Sequence, residues 1–137
     1  MIQLIIGEKG KGKTKVLLDK VNEEILSATG NVVFIDKTSK HMYELNNKVR
    51  LIDLSSYDVQ NADEFTGFVL GILSQDHDLE KMYFDNFLVL SGASDVDAIL
   101  NRMEKISNSY KVDFIMSMSI LEENLPADWK GSVIASL

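Results

Sequence analysis

"IIGEKGKGKTK", residues 5–15, crowds three glycines and four lysines into the start of a chain that is otherwise acidic. An apolar opening, MIQLII (residues 1–6), runs into it, and "TKVLLDKVNEEILSATG" leaves it with Leu17, Val21 and Ile25 recurring every four residues. Such spacing stacks the three side chains on one face of a helix, and Gly30 is well placed to stop it. The stretch is therefore the turn of a strand–turn–helix unit. A second apolar run, Val32 to Ile35, ends at Asp36 and is expected to form the next strand of a right-handed crossover.

Within the turn, Gly7, Glu8, Lys9, Gly10, Lys11, Gly12, Lys13 and Thr14 spell G-x-x-x-x-G-K-T without a mismatch. The chemistry behind the pattern is specific. Glycines let backbone N–H groups turn inward around an anion, and the first amides of the following helix add unpaired donors and a favourable dipole. Lys13 can then reach the outer phosphates of a nucleotide as a point charge, while the Thr14 hydroxyl can complete the shell of a magnesium ion bridging them. Lys9, Lys11 and Lys15 stand open to two readings, as further phosphate contacts or as solvated side chains.

On residues 1–14 the chain resembles the superfamily of P-loop nucleoside triphosphate hydrolases, most nearly its RecA-like branch with the recombination and pilus-motor ATPases. The resemblance implies ATP and Mg2+ held at the C-terminal ends of parallel strands. It also implies an acidic residue at the end of a second strand, contacting the magnesium directly or through water. Two residues compete for that place: Asp36, after "VVFI", and Asp85, after "MYF". Asp85 is preferred, because its place in the chain suits a family in which an extra strand separates the loop strand from its acidic partner. In the ATPase branch a water-activating glutamate usually follows this aspartate; here Asn86 does. An amide can orient a water but cannot take its proton at neutral pH, so nucleotide binding is expected more firmly than hydrolysis.

Other polar residues are weaker candidates. Glu122 and Glu123 follow the last clear strand and read as an exposed helix start rather than a substitute base. Ser117 and Ser119 share a face of "FIMSMS", where Ser119 could meet a terminal phosphate and a serine bonded to neighbouring backbone is the alternative. No Asn-Lys-x-Asp pattern for reading guanine is present, "IDKTSK" sharing only a lysine, which leans the expectation to ATP over GTP. The arginines, Arg50 and Arg102, and the isolated histidines, His41 and His77, read as surface residues.

The remainder agrees with an α/β fold. "VRLIDL" (49–54), "KMYFDNFLVL" (81–90, beginning as a strand), "VDFIMSMSI" (112–120) and residues 132–137 are strand candidates. "NADEFTGFVLGILSQ" and a segment starting at Ser94 carry helical stripes. Strands apolar throughout, alternating with helices, predict a three-layer α/β/α domain over 1–137 on a mostly parallel sheet of about five strands. A net charge of −7 disfavours a broad nucleic-acid footprint, the absence of cysteine removes disulfides and thiolate metal sites, and the apolar runs are too short to span a bilayer, so a cytoplasmic protein is expected. Three activities suit these features: a weak or partner-dependent ATPase, working with a protein partner or as a homo-oligomer; a small-molecule kinase; and a non-hydrolysing module whose bound nucleotide orders residues 37–48 and 54–61 for docking.

Overall fold

In the computed structural model, which describes all of residues 1–137, β1 (Ile2–Ile6) leads through the glycine turn into α1 (Lys13–Glu24). β2 (Asn31–Asp36), β3 (Arg50–Asp53), α2 (Ala62–Gln75), β4 (Leu79–Phe84), α3 (Phe87–Ser91), α4 (Val96–Tyr110), β5 (Asp113–Met118) and β6 (Val133–Ser136) follow. The strands form one sheet in the order β3-β2-β4-β5-β1-β6, with each neighbouring pair parallel. It has six strands rather than about five. β1 and β2 are not neighbours: the connection through α1 passes β5 and β4, the strands at the middle of the sheet. No helix is long and apolar enough to cross a membrane.

Successive strand residues point to opposite faces, and the core divides accordingly. Ile2, Leu4, Ile6, Met82, Phe84, Phe114 and Met116 join α2, α3 and α4 in a cluster of 24 buried residues, whereas Ile5, Phe34, Tyr83 and Ile115 meet α1 in a cluster of 10. The sheet is thus covered on both faces, unequally, and the α2–α4 side carries most of the apolar burial. Phe65, Phe84, Phe87 and Phe114 pack there with ring centroids 5.4 to 6.0 Å apart, mostly edge to face. Such pairs add about 0.5–1.5 kcal/mol each beyond the area they bury.

Several boundaries differ from the sequence expectation. α1 ends at Glu24, and residues 25–27 turn away from it. Gly30 is needed for another reason than stopping a helix: a Cβ there would lie 2.2 Å from the Asp78 carbonyl oxygen, so the close approach of two loops requires glycine. The apolar run 81–90 is a strand only to Phe84. Asn86 then takes a left-handed conformation (φ 55°, ψ 58°), which asparagine tolerates better than most residues, and turns "FLVLS" into α3. The helix expected from Ser94 is capped one residue later, where the Asp95 carboxylate accepts from the Ala98 N–H at 3.0 Å.

Candidate functional site

The turn after β1 keeps positive φ at Gly7, Gly10 and Gly12, at 151°, 86° and 90°. Gly12 is the N-cap of α1 in a left-handed conformation, and its carbonyl accepts the first helical bond, from the Val16 N–H at 3.2 Å. An L side chain at that φ costs roughly 1–2 kcal/mol, which explains the glycine. The Lys13 side chain folds back over the turn, Nζ donating to the Glu8 carbonyl at 2.8 Å. Burial holds its pKa below the usual lysine value, opposed by the Asp85 carboxylate.

Strand register supplies the opposite wall. Ile35 stands beside Phe84, and Phe84 beside Met116. The next residues along these strands, Asp36, Asp85 and Ser117, therefore form a row, and by strand alternation they face α1. Thr14, in the first turn of α1, donates to the Asp85 carboxylate at 3.0 and 3.2 Å. Ser117 donates to Asp85 Oδ1 at 3.0 Å and accepts from the Asn86 N–H at 2.7 Å. Phe84 and Phe87, fully buried and 5.6 Å apart, pin the intervening Asp85–Asn86 turn from below.

Asp36 is the least comfortable member of the row. It is 5% exposed; Oδ1 accepts from the Lys37 N–H at 2.7 Å, but the buried Oδ2 has no hydrogen-bond partner. Burial, and then the like charge of Asp85, raise its pKa above the ordinary aspartate value.

These groups line a cleft of about 360 Å³ at the C-terminal edge of the sheet, where open parallel sheets bind ligands. Among the residues expected from the sequence, Lys9, Gly10, Gly12, Lys13, Thr14, Asp85 and Asn86 line it. Gly7, Glu8, Lys11 and Lys15 do not: Gly7 packs against Leu137, a Cβ there meeting its carbonyl oxygen at 2.8 Å, and Lys15 pairs on the surface with Asp19 at 3.0 Å. Glu122 and Glu123 are exposed on a 3₁₀ turn. Arg50 pairs with Asp76 at 2.9 Å, and Arg102 lines a separate cavity beside α2 and α4.

Asp36 and Asp85, weighed as alternatives from the sequence, both reach the cleft. Lys37, Thr38, Lys40 and His41 reach it too, although from the sequence "IDKTSK" reads as a failed guanine pattern and 37–48 only as a segment that bound nucleotide would order. A basic cluster immediately after a strand end was the available signal. His41 is not the surface residue expected; it is half-buried and brings a ring nitrogen to within 4.8 Å of carboxylate oxygens of Asp36 and Asp85. His77 is exposed, as expected.

The chain matches no family model and no curated protein. Its fold does match solved structures. One is the flagellar accessory protein FlaH of Methanocaldococcus jannaschii, with a TM-score of 0.60 and 16% identity over 93% of this chain and 63% of FlaH. Another is the KaiC-like protein PH0186 of Pyrococcus horikoshii OT3, with a TM-score of 0.57 and 15% identity over 87% of this chain and 62% of that one. The chain spans just under two thirds of the length of either protein. The likeness to both is one of fold, an α/β arrangement on a parallel sheet.

Proposed function

We propose that this chain binds ATP with Mg2+ in the cleft and hydrolyses it slowly, or under control of a partner. The observation that carries this is the convergence, on one face of the sheet, of the glycine turn with Lys13 and Thr14 and the carboxylates of Asp85 and Asp36. Backbone amides of residues 10–14 would hold the phosphates, and Lys13 would exchange the Glu8 carbonyl for a phosphate oxygen. The hard oxygen donors of Thr14 and Asp85 suit magnesium, which keeps several waters and takes few protein ligands. Bound there, the ion would neutralise charge on the outer phosphates.

Asn86 cannot take a proton from water, so the base is better sought at Asp36. This carboxylate lines the same cleft, has one oxygen without a hydrogen bond, and is made more basic than an ordinary aspartate by burial and by Asp85. Asn86 is left to orient the water. Neither arginine lines the cleft, and Lys9, Lys37 and Lys40 do; an arginine from a protein partner or a second copy would complete the charge stabilisation. The departure at Asn86 also favours a second possibility, a nucleotide-dependent interaction module without turnover.

Titration of ATP and GTP by calorimetry with Mg2+, alongside phosphate release, tests these points. ATP should bind, Lys13→Ala should weaken it at least tenfold, and Asp36→Asn should keep binding while lowering turnover by about 10²–10⁴, the usual worth of a general base. Unaltered ATP affinity in folded Lys13→Ala would sink the nucleotide site; binding without turnover in the wild type would select the interaction module.

A further inference from the structure

The cleft contains a histidine that the proposed nucleotide binding does not use. His41, in the segment after β2, places a ring nitrogen with one oxygen each of Asp36 and Asp85 so that all three atoms lie within 4.8 Å of one another. Two ligands on one tetrahedral ion at bonds of 2.0–2.2 Å are separated by about 3.3–3.6 Å, so closing the set takes movements of up to about an ångström.

Two independent observations indicate that the cluster is aimed at a ligand. Asp36 is 95% buried, since only 5% of it is exposed, and its Oδ2 accepts no hydrogen bond. A carboxylate oxygen so placed ordinarily has a donor or a cation beside it. The histidine ring is also oriented from behind: His41 Nδ1 contacts the Glu44 carboxylate. A carboxylate can only accept, so Nδ1 carries a hydrogen, and Nε2 is the nitrogen left to meet a metal when the ring is neutral. This is the carboxylate–histidine arrangement that fixes metal-binding imidazoles. At Asp85, Oδ1 accepts from Thr14 and Ser117, whereas Oδ2 accepts only the longer Thr14 contact, leaving it a free lone pair.

We infer that Asp36, His41 and Asp85 form a site for one transition-metal dication, of which Zn2+ and Mn2+ are the probes, with Glu44 as the positioning residue behind His41. The donor set decides the metal class. An imidazole nitrogen beside two carboxylates suits Zn2+ or Mn2+ far better than Mg2+, which prefers oxygen and water. Charge agrees as well, because a dication offsets the two facing carboxylates. The site shares Asp36 and Asp85 with the proposed nucleotide cleft but needs no nucleotide. If the proposed hydrolysis holds, an ion there would withdraw Asp36 from water and slow turnover; metal binding itself does not depend on that.

The test is calorimetry of Zn2+, Mn2+ and Mg2+ into the untagged, nucleotide-free chain in a non-chelating buffer. One Zn2+ per chain is expected, with Mg2+ at least 100-fold weaker. His41→Ala should weaken Zn2+ at least 100-fold, Glu44→Gln about tenfold, and His77→Ala not at all. Both histidines lie outside the helices and strands, and melting curves verify that the variants are folded. Zn2+ binding that survives His41→Ala, binding lost in His77→Ala, or no preference over Mg2+ would each overturn the site. ATP affinity measured separately keeps such a failure distinct from failure of the nucleotide reading.

Discussion

Replacing Asp36 by asparagine should make the chain more stable while removing chemistry from it. The carboxylate is buried, its Oδ2 lacks a hydrogen-bond donor, and Asp85 adds a like charge at the end of the neighbouring strand. Asparagine keeps the shape and the Lys37 N–H bond to Oδ1, removes the charge, and can turn an amide hydrogen toward Asp85. An unsatisfied buried polar group costs about 1–3 kcal/mol. Relief of about 1–2 kcal/mol in a domain of 137 residues corresponds to a rise in Tm of roughly 3–8 °C. The pH dependence follows from the raised pKa: the native state holds the Asp36 proton more tightly than the unfolded chain, so the wild type loses stability as pH rises from the ordinary aspartate value through the raised one. The Asp36→Asn variant is spared that loss. Its advantage should be full above the raised value and vanish below the ordinary one. Thermal melts followed by circular dichroism at several pH values between 4 and 8 would measure it in metal-free buffer. A Tm for Asp36→Asn equal to or below wild type near pH 7.5, or an advantage independent of pH, would refute the reasoning.

Other perturbations address different parts of the molecule. Asn86→Glu should lower Tm by a few degrees, because a left-handed glutamate costs roughly 1–2 kcal/mol, and should not raise ATP turnover if Asp36 is the base; phosphate release decides. Gly30→Ala should cost more than the few tenths to 1 kcal/mol expected of a solvent-exposed helix stop, because its Cβ collides with the Asp78 backbone; urea unfolding measures the difference. Glu24, at the end of α1, is held below the ordinary glutamate value: burial pushes it up, but hydrogen bonds from Tyr83 and Lys81 and the charges of Lys81 and Lys20 outweigh this. A depressed pKa gives stability present above the unfolded value and lost as pH falls through the folded one, so Glu24→Gln should flatten the acid limb of the stability curve. Phe84→Ala should cost about 3–5 kcal/mol, visible as a lowered urea midpoint, since it empties the aromatic cluster beneath Asp85.

Local interactions were legible and non-local ones were not. The apolar opening, the glycine turn and the helix after it are set by residues within one another's reach along the chain, and there the expected β1, turn and α1 agree with the structure. Even so, the purpose of individual glycines was obscure: Gly7 and Gly30 answer close contacts with Leu137 and Asp78, distant in sequence. α3 was hidden for another reason. "FLVL" is equally apolar as a buried strand or a buried helix, and the left-handed turn at Asn86 decides between them.

By itself the sequence determined that a strand, a positive-φ glycine turn and a helix open an α/β domain with Lys13 and Thr14 at the turn, because backbone sterics and helix periodicity act over a few residues. Only the tertiary structure decided which carboxylates meet that turn. The order β2-β4-β5 and its register set Asp36, Asp85 and Ser117 side by side on the α1 face and bring His41 to them. Strand order follows from how whole apolar faces pack between two helical layers, and that balance cannot be read from any short stretch of residues.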